Sequence, residues 1–207
     1  MTLQKILGSN PIIPVVTPLS VDSTVKVAEA LVAGGINTIE ITLRTDCALE
    51  AIQAVKDSDI DITLGVGTII NGKTIHILDE IGVDFGVSPG LTNGILQTAK
   101  QLDFNILPGV ATPSELIKGM SYGFKHFKIF PANAIDSKAL LKAFNATFPG
   151  IQFCPTGGVS VDSMNDYLQL PNVICVGGSW LASKLDIELG NYSRITENCQ
   201  SALAALV

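Results

Sequence analysis

VKVAEALVAGGINTIEITL, residues 25–43, carries two periodicities joined by a glycine pair. Val25, Ala28, Leu31 and Val32 recur at helical spacing, and Gly34-Gly35 stands where such a helix should stop. From Thr38 to Leu43 the chain alternates polar and apolar. A strand there turns Ile39, Ile41 and Leu43 to one side and Thr38, Glu40 and Thr42 to the other.

The same handover from helix to strand repeats along the chain. Eight short runs rich in β-branched residues appear: Ile12 to Thr17, Thr38 to Leu43, Ile62 to Val66, Val83 to Val87, Asn105 to Val110, His126 to Phe130, Ile151 to Pro155 and Val173 to Val176. Segments of helical spacing lie between most of them, as with Leu140, Leu141 and Phe144 before Pro149-Gly150. The repeat of roughly 20 to 25 residues holds a strand, a helix and two short loops, which predicts an α/β chain with a parallel sheet. An open doubly wound sheet usually has fewer strands and a reversal of strand order, which this even spacing does not indicate. The expected architecture is therefore a (β/α)8 TIM barrel. Met1 to Gly8, with Leu3, Ile6 and Leu7, is expected to form a short N-terminal helix across one mouth.

Composition narrows the class. At 207 residues and 47% hydrophobic, residues 1–207 fit a single domain with one substantial core. The net charge is -6 and the 13 basic residues are scattered, so no nucleic acid or anionic membrane is expected as a partner. No apolar run approaches the roughly 20 residues of a membrane helix, and the start lacks a signal-type cleavage pattern, which predicts a cytoplasmic protein. Cys47, Cys154, Cys175 and Cys199 form no C-x-x-C and are expected to be reduced.

In such a barrel the catalytic groups come from the carboxyl ends of different strands. Glu40 would point inward, either as a carboxylate satisfied by neighbouring hydroxyls or as a general acid/base. Lys128 poses the same question, because Phe127 and Ile129 take the helix-facing side and leave His126, Lys128 and Phe130 inside. Burial and nearby positive charge lower a lysine's pKa, and only the neutral amine attacks a ketone. The plainer reading is a Lys128–Glu40 ion pair, which also brings the two together. Arg44 and Thr68, each at a strand end, offer a guanidinium fork and a hydroxyl suited to a ligand carboxylate; the alternative for Arg44 is a solvated side chain. Thr156-Gly157-Gly158 and Gly177-Gly178-Ser179 close the last two strands, where bare amides can converge on a phosphate, although either pair alone could be a tight turn. The two histidines, His76 and His126, have no partners at metal-ligand spacing, and there is no Walker loop, G-x-S-x-G elbow or complete dinucleotide fingerprint. Neither metal nor cofactor is expected.

Six motifs are now assembled: Ile39 to Thr45, Gly65-Val66-Gly67-Thr68, Ser88-Pro89-Gly90, Phe127 to Ala132, Pro155 to Gly158, and Gly177-Gly178-Ser179-Trp180. In order and spacing they resemble the KDPG/KHG aldolase family, named for 2-keto-3-deoxy-6-phosphogluconate and 4-hydroxy-2-oxoglutarate. The resemblance implies a class I aldolase releasing pyruvate from a keto-acid substrate, with Lys128 as Schiff-base lysine and Glu40 as proton shuttle. It implies that Arg44 and Thr68 hold the pyruvyl carboxylate, that Pro89, Phe130 and Thr156 line the pocket, and that Gly157, Gly158, Gly178 and Ser179 receive the phosphate. It also implies a metal-free homotrimer. Two positions depart from the pattern: Thr17-Pro18-Leu19-Ser20 lacks the basic residue many members carry after the first strand, and Asn133 stands where glutamate is common. A phosphogalactonate or 4-hydroxy-2-oxoglutarate aldolase, a barrel isomerase or epimerase, and a phosphate-binding module without catalysis remain as alternatives.

Overall fold

The computed structural model describes residues 1–206. In chain order the first elements are α1 (Leu3–Ser9), β1 (Ile12–Val16), α2 (Val21–Ala33), β2 (Thr38–Thr42), α3 (Ala48–Asp57), β3 (Thr63–Gly67), α4 (Gly72–Ile81), β4 (Phe85–Val87), α5 (Asn93–Gln101) and β5 (Ile106–Leu107). They are followed by β6 (Gly109–Val110), α6 (Pro113–Ser121), β7 (His126–Ile129), a 3-10 turn (Ala132–Ala134), α7 (Ser137–Thr147), β8 (Gln152–Pro155), α8 (Val161–Leu168), β9 (Val176–Gly178), α9 (Lys184–Glu188) and α10 (Tyr192–Ala204). Helix starts are chemically marked: Ser20 and Ser23 close a capping box on α2, and Thr112 and Glu115 close another on α6, whose first residue is Pro113.

The strands pair in parallel, in a six-stranded sheet of order β5-β4-β3-β2-β1-β9 and a three-stranded sheet β6-β7-β8. The α/β class and the parallel pairing are as expected, and the hydrogen-bonded ladder is interrupted at two places. Pro108 has no N–H to donate, so the run Asn105 to Val110 divides: β5 pairs with β4, and β6 with β7. On the other side, β8 meets the last strand and its approach only through isolated parallel bridges, Phe153 to Val173 and Thr156 to Gly177. The last strand also forms later than expected, at Val176 to Gly178, because pairing with Ile12 to Pro14 fixes its register. The result is an α/β fold in which parallel strands curl, with helices on their outer side.

Two apolar layers result. The larger lies between strands and helices and takes Ile39 and Ile41 from β2, and Phe127 and Ile129 from β7. The smaller fills the amino-terminal end of the inner face, where Ile13, Phe85, Val87, Leu107, Cys154 and Cys175 pack with Ile6 and Leu7 of α1. The N-terminal helix closes that end as expected. Its Leu3 amide donates to Asn105 Oδ1 at 3.2 Å, its Gln4 meets the ring of His126, and Asn105 Nδ2 donates to the Asp84 carbonyl at 3.0 Å. Leu7 is 0% exposed, so Leu7→Ala is expected to lower stability by about 2–5 kcal/mol in a denaturant titration.

Candidate active site

Above this apolar base the inner face turns polar. Thr38, Glu40, Thr42, Ser88, Lys128 and Thr156 are all buried. Strand alternation puts Thr38, Glu40, Thr42 and Lys128 there, since each has an apolar neighbour taken by the helix layer. Glu40 pairs in register with Gly65, and Lys128 with Gly109 on one side and Cys154 on the other. The glycines make room: a side chain at Gly67 would overlap the Glu40 carboxylate. Gly67 is thus a sequence signal for the space Glu40 occupies, while Gly65 makes room for the Phe85 ring.

Lys128 Nζ lies 3.4 Å from Glu40 Oε1, with the side chains 5% and 4% exposed. A buried pair of this kind is a poor stabiliser, because desolvating two charges offsets most of their attraction. Lys128 also lies 5.3 Å from the centre of the Phe130 ring. Deeper in, burial pushes the Cys175 thiol well above its ordinary range. All four cysteines are free.

Lys128 opens onto a cavity of about 550 Å3 at the carboxyl ends of the strands. Of the expected residues, Arg44, Phe130, Thr156, Gly157, Gly158, Gly178 and Ser179 also line it. Glu40 sits behind Lys128, and Thr68 reaches the site through Arg44, whose Nε donates to Thr68 Oγ1 at 3.1 Å. Thr68 is held at φ 67, a left-handed conformation that disfavours a non-glycine residue by about 1–2 kcal/mol. Pro89 is not on the cavity wall; its carbonyl packs against Gly109, beside Lys128.

The glycine pairs have backbone reasons for their identity. Gly157 and Gly158 hold φ 96 and 77, and a side chain on Gly178 would overlap the ring of Trp180. The amides of Gly157, Gly158 and Ser179 donate to no backbone carbonyl among the described residues, which leaves three N–H groups for a ligand. At the two departures, Leu19 lines the cavity with an apolar side chain, Ser20 spends its hydroxyl on the α2 cap, and Asn133 packs against Gly158. Sequence reasoning missed Lys184, which also lines the cavity. Its only signal was a basic residue shortly after the last glycine-closed strand.

Curled parallel strands with a buried lysine–carboxylate pair and free amides at their carboxyl ends place this chain among α/β proteins whose sites sit on strand ends. The KDPG and KHG aldolase model matches residues 3–198, and the chain belongs to that family. It is 41% identical over 200 residues to the KHG/KDPG aldolase of Escherichia coli (strain K12), covering 97% of this chain and 94% of that one. Among solved structures, it is similar to the KDPG aldolase from Legionella pneumophila with pyruvate captured at low pH as a covalent carbinolamine intermediate. There the TM-score is 0.95 and the identity 39%, covering 98% of each chain. The 2-keto-3-deoxy-6-phosphogluconate aldolase of Zymomonas mobilis ZM4 with 3-phosphoglycerate gives a TM-score of 0.90 at 37% identity, covering 99% of this chain and 98% of that one.

Proposed function

We propose that this chain is a class I aldolase that cleaves 2-keto-3-deoxy-6-phosphogluconate to pyruvate and glyceraldehyde 3-phosphate, and also 4-hydroxy-2-oxoglutarate to pyruvate and glyoxylate. The observation that carries this reading is the buried Lys128–Glu40 pair, 3.4 Å apart, opening onto the cavity. An amine beside a proton acceptor is what imine formation requires.

Lys128 Nζ, as the free amine, attacks the C2 ketone to give a carbinolamine, and Glu40 returns a proton to the departing hydroxyl as water leaves. The protonated imine draws electrons from the C3–C4 bond as Glu40 takes the C4 hydroxyl proton. The aldehyde departs, the enamine is protonated at C3, and hydrolysis frees pyruvate and the lysine. Arg44, steadied by the Thr68 hydroxyl, holds the pyruvyl carboxylate, and the amides around Gly157, Gly158, Gly178 and Ser179 receive the phosphate. Phe130 and Thr156 shape the space between these two anchors, and Pro89 supports it from behind, against Gly109 beside Lys128.

The same reading takes residues 1–207 as one domain whose two sheets form a single closed (β/α)8 barrel, with Pro108 and the Thr156–Gly177 bridge as its two joints. It also takes the protein to be a cytoplasmic homotrimer. The four free thiols agree with a reducing compartment, and the trimer rests on family resemblance, to be checked by light scattering.

Borohydride reduction with pyruvate tests the chemistry. Intact-mass and peptide analysis should find one reduced pyruvyl adduct per chain, on Lys128. Turnover without any adduct would support an isomerase or epimerase, and an adduct on another lysine would displace Lys128 from its role.

A further inference from the structure

The cavity lining contains Arg44, Lys128 and Lys184 as its charged residues and no aspartate or glutamate, in a chain with 19 acidic residues against 13 basic ones. Two of these cations are already engaged: Arg44 with Thr68 at 3.1 Å, and Lys128 with Glu40 at 3.4 Å. Lys184 is the first residue of α9 and lines the cavity together with Gly178 and Ser179, which precede it on the same stretch of chain. Its Nζ lies 3.5 Å from Glu188 Oε1, with the two side chains 73% and 48% exposed. Exposed pairs one helical turn apart are weak, so Lys184 can leave Glu188 readily.

We propose that Lys184 makes this site select a phosphorylated keto acid over its unphosphorylated counterpart, by exchanging Glu188 for the distal phosphate. The inference rests on the aldolase reading above. The amides of Gly157, Gly158 and Ser179 fix where a phosphate sits and favour an anion through their dipoles, but they carry no net charge. A phosphate carries about two negative charges near neutral pH, against one on Glu188, and a lysine on its flexible stem follows the larger charge. Leu19, on the wall contributed by the loop after β1, adds no competing cation. Lys184 therefore adds the full positive charge that the amides beside it lack.

The test compares 2-keto-3-deoxy-6-phosphogluconate with 2-keto-3-deoxygluconate, which differs by the phosphate alone, in the full-length wild type and in Lys184→Ala, Lys184→Arg and Glu188→Gln. The ratio of the two kcat/KM values should fall about tenfold in Lys184→Ala, equivalent to about 1.4 kcal/mol, and the fall should appear in KM for the phosphorylated compound. Lys184→Arg should restore most of the ratio, and Glu188→Gln should leave it equal or raise it. An unchanged ratio in Lys184→Ala, or an equal fall in Glu188→Gln, overturns the assignment. A wild type that cleaves neither compound removes the aldolase reading itself, and this inference with it.

Discussion

Lys128→Met should abolish the reducible pyruvyl adduct and lower kcat/KM by at least about 10^4-fold, because no other amine stands where the imine must form. Met keeps much of the length of the stem but has no nucleophile. The substitution also separates chemistry from stability. Glu40, 3% exposed, loses its cation, and breaking a buried pair from one side typically costs about 3–5 kcal/mol. Lys128→Met should therefore unfold at lower denaturant as well as lose activity. Adding Glu40→Gln should recover much of the stability and none of the activity. A double variant as unstable as Lys128→Met would mean that Glu40 is satisfied by something other than Lys128. Retained turnover in Lys128→Met would end the covalent mechanism.

Glu40→Gln by itself should leave the amine able to trap pyruvate on reduction while lowering kcat by about 10^2–10^4-fold, the usual range for losing a positioned acid/base. The readout is the split: the adduct persists, though more slowly formed, and cleavage nearly stops. Both steps depend on a carboxylate that lies 3.4 Å from Nζ and is held in the space left by Gly67. Equal loss of adduct and turnover would instead make Glu40 a positioning residue for the lysine. Full turnover would reduce it to the satisfied carboxylate that the sequence left open.

The glutamate and the lysine were legible for a simple reason. Alternation in a strand with helices on one side fixes which side chains point inward, so Thr38-Ile39-Glu40-Ile41-Thr42 and Phe127-Lys128-Ile129 each place a charge on the inner face. Arg44 and the two glycine pairs were legible as strand ends. The setting of Pro89 was not legible, because a motif records order along the chain and not how far a loop folds back toward Gly109. Lys184 went unnoticed because a basic residue in a short helix has no local mark separating a solvated side chain from one at a cavity rim.

The sequence by itself determined the alternation of strands and helices, the inward charges and the family, since all three are local in period or in motif. Tertiary structure alone decided three further things: the division of the fifth strand at Pro108, the 3.4 Å approach of residues 88 positions apart, and the union of strand ends from both sheets around one cavity. Those are set by register and curl, which depend on how every strand packs against its neighbours and on α1 filling the base. No window of sequence contains that information.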